Sequence, residues 1–432
     1  MILSFSYEIP LVYITSMYKA NPYLFDVSSS LLIFYWVVRG RFRGWTLSLK
    51  NPIVPPWLMI VAAFTWATVV SAVWLPIEMF QFSVWYLGTY YQGLLVLLIF
   101  LAAPLTEKDK RGLMWVALVG GSWCATVAIL QVFEIVGTAR VIPKGWEVGL
   151  EGNGIISTLG PTYFHAGIFS VVTTLIGIAL YGASRGTARW VAALLAGLCA
   201  IPATVAGSRA AFLALVISVG VVVVNNRQYR QSLGMWFFGF LFVVNINMFY
   251  AGSLTQYRTS QKFGEEQYQL EARGRIEQTF PQIWDEMKEH PVMTIAGGGF
   301  YVVPRGDRWR IGYGIHNLFL LPFEQAGIAA LLGSLWLWWR LGTRLGRRRP
   351  GPNESSIDLH VRGALFGYFI ALMVVGWAGG HFWMKGGTEH LNSYLILMLG
   401  LALTETGGAR SPSPISTAAE NYSGVVVPFL ER

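Results

Sequence analysis

Long apolar stretches alternate with short polar ones along most of this chain. A helix that crosses the hydrocarbon core of a bilayer needs about 20 mainly apolar residues. Ten segments of that kind run approximately over residues 53–75, 82–103, 112–136, 162–182, 188–206, 208–225, 233–251, 315–340, 361–379 and 388–404. The pattern predicts an all-α, polytopic transmembrane bundle.

The first 38 residues contain two shorter apolar stretches, which Glu8, Lys19 and Asp26 interrupt. A secretory signal peptide is the alternative interpretation. No Lys or Arg precedes Lys19, however, and no small-residue cleavage site follows the apolar stretch. We therefore expect this segment to be retained, which brings the predicted total to about 12 helices.

Composition and charge agree with a membrane protein. The chain is 54% hydrophobic and 13% charged, which does not suit a soluble globular domain. Basic residues concentrate in alternate short loops, a pattern that favours the cytoplasmic side and predicts cytoplasmic termini. The net charge of +9 is thereby explained by topology and gives no reason to expect a nucleic-acid partner.

The same alternation divides the chain into four regions. Residues 1–251 hold about nine predicted helices, and 252–312 form one large, partly helical loop on the outer, periplasmic side. Residues 313–404 hold about three more helices, and 405–432 form a flexible cytoplasmic tail rich in Ser, Pro and Ala. The loop carries eight basic and eight acidic residues, so its charges cancel.

His316 and Asn317 lie where the loop re-enters an apolar segment, and Gly327 follows nine residues after Asn317. A helix that begins near His316 would carry Leu320, Phe323 and Gly327 on one face, with Gly327 permitting close helix approach. Pro322 would kink this helix. A structural histidine that caps a helix or bonds a loop carbonyl is the alternative to a functional one.

Several cations are candidates on the same predicted side. Arg209 opens an apolar helix where positive charge is disfavoured, although it could simply anchor the helix at the interface. Arg275 could bind an anion or form a solvated pair with Glu271, and Arg273 competes with it for the same role. The secondary candidates of the remaining outer loops are Arg140, Lys144, His381 and Lys385.

The sequence predicts no metal or cofactor site. Cys124 and Cys199 fall in apolar helices, where a free thiol behaves as a small hydrophobe. The chain has no Walker loop or HExxH motif, and we interpret the run of glycines 297–299 as a flexible turn. Five tryptophans are predicted to belong to the aromatic belt at the membrane interface: Trp57, Trp74, Trp85, Trp336 and Trp383.

Three groups of residues together resemble the bacterial O-antigen ligase and O-antigen polymerase family. The first is His316-Asn317-x9-Gly327, although Ala330 departs from the last position of the family's motif. The second is Gly207-Ser208-Arg209-Ala210-Ala211. The third is Gly274-Arg275-Ile276 with the later Trp284, Pro291 and glycines 297–299, which is similar to the family's large periplasmic loop.

This resemblance implies glycan transfer from an undecaprenyl-diphosphate carrier, on the periplasmic face of the bacterial inner membrane, without a metal. Ligases transfer the finished glycan to lipid A-core, whereas polymerases join repeat units. By the resemblance, Arg209 and Arg275 would bind the diphosphate and His316 would act as general base. A histidine whose pKa is about 6.5 can accept the proton of a sugar hydroxyl at neutral pH. Inversion at the anomeric carbon would follow from direct attack.

Two other classes of function remain open. A transporter or lipid flippase would be expected to have charged or broken helices at the membrane midplane, often in repeated halves. A non-catalytic scaffold would not account for arginine and histidine gathering on one outer surface. The sequence therefore favours glycan transfer, with O-antigen ligation preferred over polymerisation.

Overall fold

The chain is known from a computed structural model, which describes residues 24–38, 49, 51–73, 75–103, 105–133, 135–136, 163–205, 209–226, 229, 285, 288, 291–297, 302–305, 308–311, 318–346, 355–376 and 391–403. Across these ranges the secondary structure is helical apart from one short hairpin.

Eleven helices and two strands make up the described part of the chain. The helices are α1 Leu24–Val38, α2 Val54–Ser71, α3 Ile77–Ala102, α4 Glu107–Val132, α5 Tyr163–Ala183, α6 Gly186–Val205, α7 Arg209–Asn225, α8 Pro291–Ala296, α9 Leu321–Leu345, α10 Ser356–Val375 and α11 Leu391–Leu403. The strands β1 Val302–Arg305 and β2 Arg308–Ile311 pair antiparallel, with Val302 opposite Ile311.

The predicted helical pattern is confirmed where the structure describes the chain. A helix occupies nine of the ten predicted segments, and the tenth, 233–251, lies outside the described residues. Five helical segments are long and apolar enough to cross a membrane: Val54–Ser71, Glu107–Gln131, Ala166–Ala183, Gly186–Val205 and Ser356–Val375. The chain is a membrane protein by this measure, while most of the predicted outer loop and the tail lie outside the described ranges.

Two helices begin earlier than predicted because capping boxes define their starts. Thr106 caps α4 and exchanges hydrogen bonds with Asp109, and Ser355 caps α10 and does the same with Asp358. Each box satisfies backbone N–H groups that the first helical turn leaves without an intrahelical partner. The earlier starts bring Lys110 and Asp358 into helices, where they meet inside the bundle.

Lys110 and Asp358 form a buried ion pair between α4 and α10. Lys110 Nζ lies 2.5 Å from Asp358 Oδ1, and the two side chains are 0% and 6% exposed. The other carboxylate oxygen of Asp358 accepts hydrogen bonds from the Ser355 backbone N–H at 3.1 Å and the Ser355 hydroxyl at 2.8 Å. One carboxylate therefore caps its own helix and neutralises a cation from another.

Further hydrogen bonds join helix ends near this ion pair. We call the part of the bundle that contains Lys110, Arg111 and His360 the basic end. Arg111 Nη1 donates to the carbonyl of Ala183, the last residue of α5, at 2.8 Å. The Tyr229 hydroxyl donates to the Ile178 carbonyl at 2.9 Å and lies 3.0 Å from His360 Nδ1. Since the single phenolic proton goes to the carbonyl, His360 Nδ1 acts as the donor to Tyr229. Burial raises the pKa of the Tyr229 phenol, which keeps that proton in place.

A serine hydroxyl from α5 bonds to the backbone of α6 beside a proline. Pro202 lies inside the helix and cannot donate an N–H. The Ser170 hydroxyl, from α5, donates to the carbonyl of Cys199 and accepts from the N–H of Ala203 at 3.0 Å. The hydroxyl thus bridges two backbone groups of the helix, as neighbouring side chains do at proline sites in membrane helices. This contact joins α5 to the last two turns of α6.

Two predictions about single side chains have opposite outcomes. Cys124 and Cys199 are buried within apolar helices, as predicted. The placement of Trp57 in an interfacial belt is wrong, because its side chain is only 6% exposed. It packs inside the bundle near Tyr90 of α3, with ring centroids 6.3 Å apart, because α2 packs against both α9 and α3.

Replacing Lys110 by Met should destabilise the protein by about 3–5 kcal/mol, because the change removes a cation that pairs with the buried Asp358 carboxylate. Thermal unfolding of the detergent-purified protein measures the effect. Lys108→Met is the matched control, since Lys108 is exposed on the same helical turn and should change stability by less than about 0.5 kcal/mol. Equal melting temperatures for the two variants would contradict the proposed role of the pair.

Candidate functional site

The helix that follows His316 differs from the predicted one. α9 begins at Leu321, so Pro322 lies in its first turn, where proline is tolerated because that N–H has no intrahelical partner. The prediction that Pro322 kinks the helix is therefore wrong. The break lies at Ala326 and Gly327, whose φ values are −141° and 69°. The predicted helical face does not reach Gly327 without a break, because Leu318–Leu320 form a turn and the helix is interrupted at Ala326.

Two glycines allow the helix to break and another segment of the chain to pack against the break. Gly327 has a φ of 69° and Gly297 a φ of 82°. Residues with a Cβ rarely adopt positive φ values of this kind. A Cβ at Gly327 would overlap the carbonyl of Ile295, and a Cβ at Gly297 would lie 2.5 Å from the carbonyl of Gln325. The backbone following α8 and the backbone of the break are therefore in direct contact.

This contact revises two interpretations of the sequence. Gly297 is buried against α9, so its role is to permit a close backbone approach, and the prediction of a flexible turn is wrong at this residue. Gly327 does allow close approach, as predicted, but its neighbour is the segment Pro291–Gly297 and not another long helix of the bundle. The end of the predicted outer loop thus docks onto the start of α9.

The backbone of Arg209 lies at the same end of the bundle as the start of α9. α7 and α10 run antiparallel, since Tyr229 contacts His360 while a Cβ on Gly367 would lie 2.6 Å from the carbonyl of Ser218. Arg209 precedes Ser218 by nine residues, and Gly376 follows Gly367 by nine residues. At 1.5 Å per helical residue, Arg209 and Gly376 are each about 13 Å from this crossing, on the same side.

Gly376 in turn contacts the residues that precede α9. The N–H of Leu318 donates to the carbonyl of Gly376 at 2.8 Å, and a Cβ on Gly376 would lie 2.7 Å from a methyl carbon of Leu318. Leu318 follows His316 by two residues in the chain. The start of α7, the end of α10 and the approach to α9 consequently form one end of the bundle, which we call the glycine end.

Most of the predicted site residues lie outside the described part of the structure. Arg209 is placed by its backbone as the first residue of α7, and its side chain is not described. The residues that lie outside the described ranges are His316, Asn317, Arg275, Arg273, Arg140, Lys144, His381 and Lys385. The roles predicted for all nine stay predictions.

A hairpin that the sequence analysis missed precedes His316. Arg305 pairs with Arg308 in the register of β1 and β2, and Arg310 is the partner of Val303. Three arginines are therefore carried on one short element between the docked segment ending at Gly297 and the start of α9. Alternating residues in Val302–Arg305 and Arg308–Ile311 give only a weak strand signal, because each strand has four residues.

Gln325 is a further polar residue at the break that the sequence analysis did not single out. Its side chain is 2% exposed, and its Oε1 atom has no hydrogen-bond partner among the described residues. A buried acceptor without a partner costs about 1–3 kcal/mol. The signal that could have identified Gln325 is an amide within an apolar segment, two residues before Gly327. Among the described residues, no group of three or more His, Cys, Asp or Glu side chains could hold a metal ion.

Comparison of the chain with protein-family models gives no match, and comparison with curated proteins gives none either. The resemblance to a family therefore rests on the sequence motifs alone.

Gly327→Ala should loosen the docked segment, because the added Cβ would overlap the Ile295 carbonyl and the positive-φ conformation costs about 1–3 kcal/mol for a residue with a Cβ. We expect a lower melting temperature and faster trypsin cleavage within residues 252–312. Gly220→Ala is the matched control, since no atom lies within 4 Å of a Cβ built at that helical position. Similar cleavage rates for the two variants would show that the glycine contact does not hold the segment.

Proposed function

We propose that this chain transfers a glycan from an undecaprenyl-diphosphate carrier to an acceptor hydroxyl on the periplasmic face of the bacterial inner membrane. The preferred reaction is ligation of O-antigen to lipid A-core by an inverting, metal-independent transfer. Its partners would be the lipid-linked donor, the acceptor and the bilayer.

The observation that supports the proposal is that described residues from three separate sequence motifs lie toward the glycine end. Arg209 begins α7 there, Leu318 follows His316 and bonds to Gly376, and Gly297 contacts the break at Gly327. Over a hundred residues separate Arg209 from Gly327 in the chain. A shared site for donor and acceptor requires groups from these motifs at one end of the bundle, because the reacting groups must be brought together.

The proposed roles follow from the charges in the reaction. His316 would accept the proton of the acceptor hydroxyl as the oxygen attacks the anomeric carbon of the donor. The bond from that carbon to the diphosphate oxygen breaks, and the bonding electrons leave with the diphosphate. Arg209 and Arg275 would stabilise the growing negative charge, since guanidinium groups bind phosphate oxygens bidentately.

Secondary roles fall to residues near these in the chain. Arg273 would compete with Arg275 for the diphosphate, and Asn317 adjoins the proposed base. Additional phosphate or acceptor contacts would come from Arg140, Lys144, His381 and Lys385. The hairpin lies in the chain between the docked segment and His316. Its arginines would add to the positive potential at the glycine end.

Loss of the proposed base should abolish transfer without unfolding the protein. His316→Ala, expressed in a deletion strain, should leave full-length glycan on its lipid carrier and none on lipid A-core. Surface and lipid-linked glycan profiles measure the result. His290→Ala is the matched control, because His290 belongs to the same predicted loop and has no proposed role. Full activity of His316→Ala would remove this residue from the mechanism.

The same profiles distinguish the alternatives. Single repeat units in place of long chains would identify a polymerase, and an unchanged glycan profile in the deletion strain would favour transport. Arg209→Ala should also lose transfer, whereas Arg258→Ala, a loop arginine without a proposed role, should retain it. Normal membrane insertion and purification of each variant are required for these conclusions.

Chelators should leave the transfer rate unchanged, because the proposed proton transfer and charge stabilisation use only side chains of the chain. The measurement is glycan transfer by purified protein before and after treatment with EDTA. A lasting loss of activity that only added metal restores would contradict the metal-independent mechanism.

A further inference from the structure

The turn between α5 and α6 gathers positive charge at the basic end. Arg185 lies in this turn, and Gly186, with a φ of 58°, allows the chain to reverse into α6. Arg111 reaches the turn from α4 through its hydrogen bond to the Ala183 carbonyl. Arg189, in the first turn of α6, stacks over the Tyr181 ring at 4.3 Å. Three guanidinium groups from two parts of the chain thus converge on one turn.

These charges are only partly neutralised. Glu107 accepts a hydrogen bond from Arg111 at 2.8 Å. Arg185 is exposed, and neither it nor Arg189 forms an ion pair with a carboxylate among the described residues. The first N–H groups of α6 add the positive end of a helix dipole at the same place. The turn therefore has a net positive potential suited to an anion.

Two buried polar atoms in the turn have unmet hydrogen bonds. Ser184 is 4% exposed, and its hydroxyl has no partner among the described residues. The Nε–H of Arg189 is also buried without a partner, although the Arg189 Nη2 atom bonds to the Tyr181 hydroxyl at 2.7 Å. Buried polar groups normally have partners, and an Arg N–H can only donate. The missing partner at Arg189 must be a hydrogen-bond acceptor.

The outer face of α6 next to the turn is apolar and open. Trp190 is 61% exposed, Val191 42% and Leu194 71%, and Trp190 and Leu194 lie four residues apart on one helical face. Only 39% of the α6 membrane span is buried inside the protein, compared with 89% for Ala166–Ala183 of α5. This face is available to acyl chains directly beside the cationic turn.

We propose that the turn between α5 and α6 binds the phosphate of an anionic lipid, whose acyl chains lie along Trp190 and Leu194. The phosphate oxygens accept from Arg185 and Arg189, and the chains cover the exposed face of α6. A lipid fits better than a soluble phosphate because the cationic turn and the apolar face are contiguous. This site is at the opposite end of the bundle from the proposed transfer reaction and does not depend on it.

Lipid titration of the purified full-length protein tests this site. Phosphatidylglycerol, phosphatidylcholine with the same acyl chains, and inorganic phosphate are titrated separately, and bound ligand is measured by native mass spectrometry. We expect phosphatidylglycerol to bind preferentially. Arg185→Ala should weaken its binding about fivefold and Arg185→Glu about 25-fold, since each unit of charge near a lipid headgroup contributes roughly a factor of five.

Arg340→Glu is the matched control, because Arg340 is an exposed arginine on α9 and the change removes the same charge. Arg185 makes no described side-chain contact, so its variants should fold normally, and an unchanged melting temperature without added lipid verifies this. An equal loss of lipid in Arg340→Glu would mean that net charge, and not this turn, controls binding. Binding of inorganic phosphate as tight as that of phosphatidylglycerol would indicate a soluble ligand and overturn the proposal. Equal binding of the two lipids would also overturn it.

Discussion

The alignment of the helices depends on the ion pair between Lys110 and Asp358. A charge inside a membrane bundle is stable only when a partner neutralises it, so this pair leaves α4 and α10 little freedom to slide past each other. Asp358 also caps its own helix, which joins the position of the pair to the residue at which α10 begins. The nearby contact between Tyr229 and His360 holds the residues that follow α7 against the start of α10.

Fixing the helices at the basic end determines what meets at the glycine end. With α7 and α10 antiparallel, equal distances along the two helices bring Arg209 level with Gly376, and Gly376 bonds to Leu318. The close contact between the backbones at Gly297 and Gly327 then holds the segment before Gly297 against the break in α9. The glycine end is therefore assembled by elements that are far apart in the chain, and its parts would separate if the helices changed register.

The sequence predicted most of the helices, because a span of about 20 apolar residues is an unambiguous requirement of the bilayer. It placed the starts of α4 and α10 too late, because hydropathy falls at Lys110 and Asp358 although the capping boxes at Thr106 and Ser355 extend both helices. Those boxes were readable from the sequence. The burial of Trp57 was not, because it depends on which helix covers α2.

The sequence by itself determined that this is a helical membrane protein with alternating basic loops, and it singled out Arg209, Gly297 and Gly327. Local composition and backbone preference are enough for those conclusions. Only the tertiary structure decided that Gly297 and Gly327 touch, that α9 breaks after Gln325, and that Lys110 is paired. Each of these depends on a contact between segments distant in the chain, and such contacts are set by packing, which leaves no local trace in the order of residues.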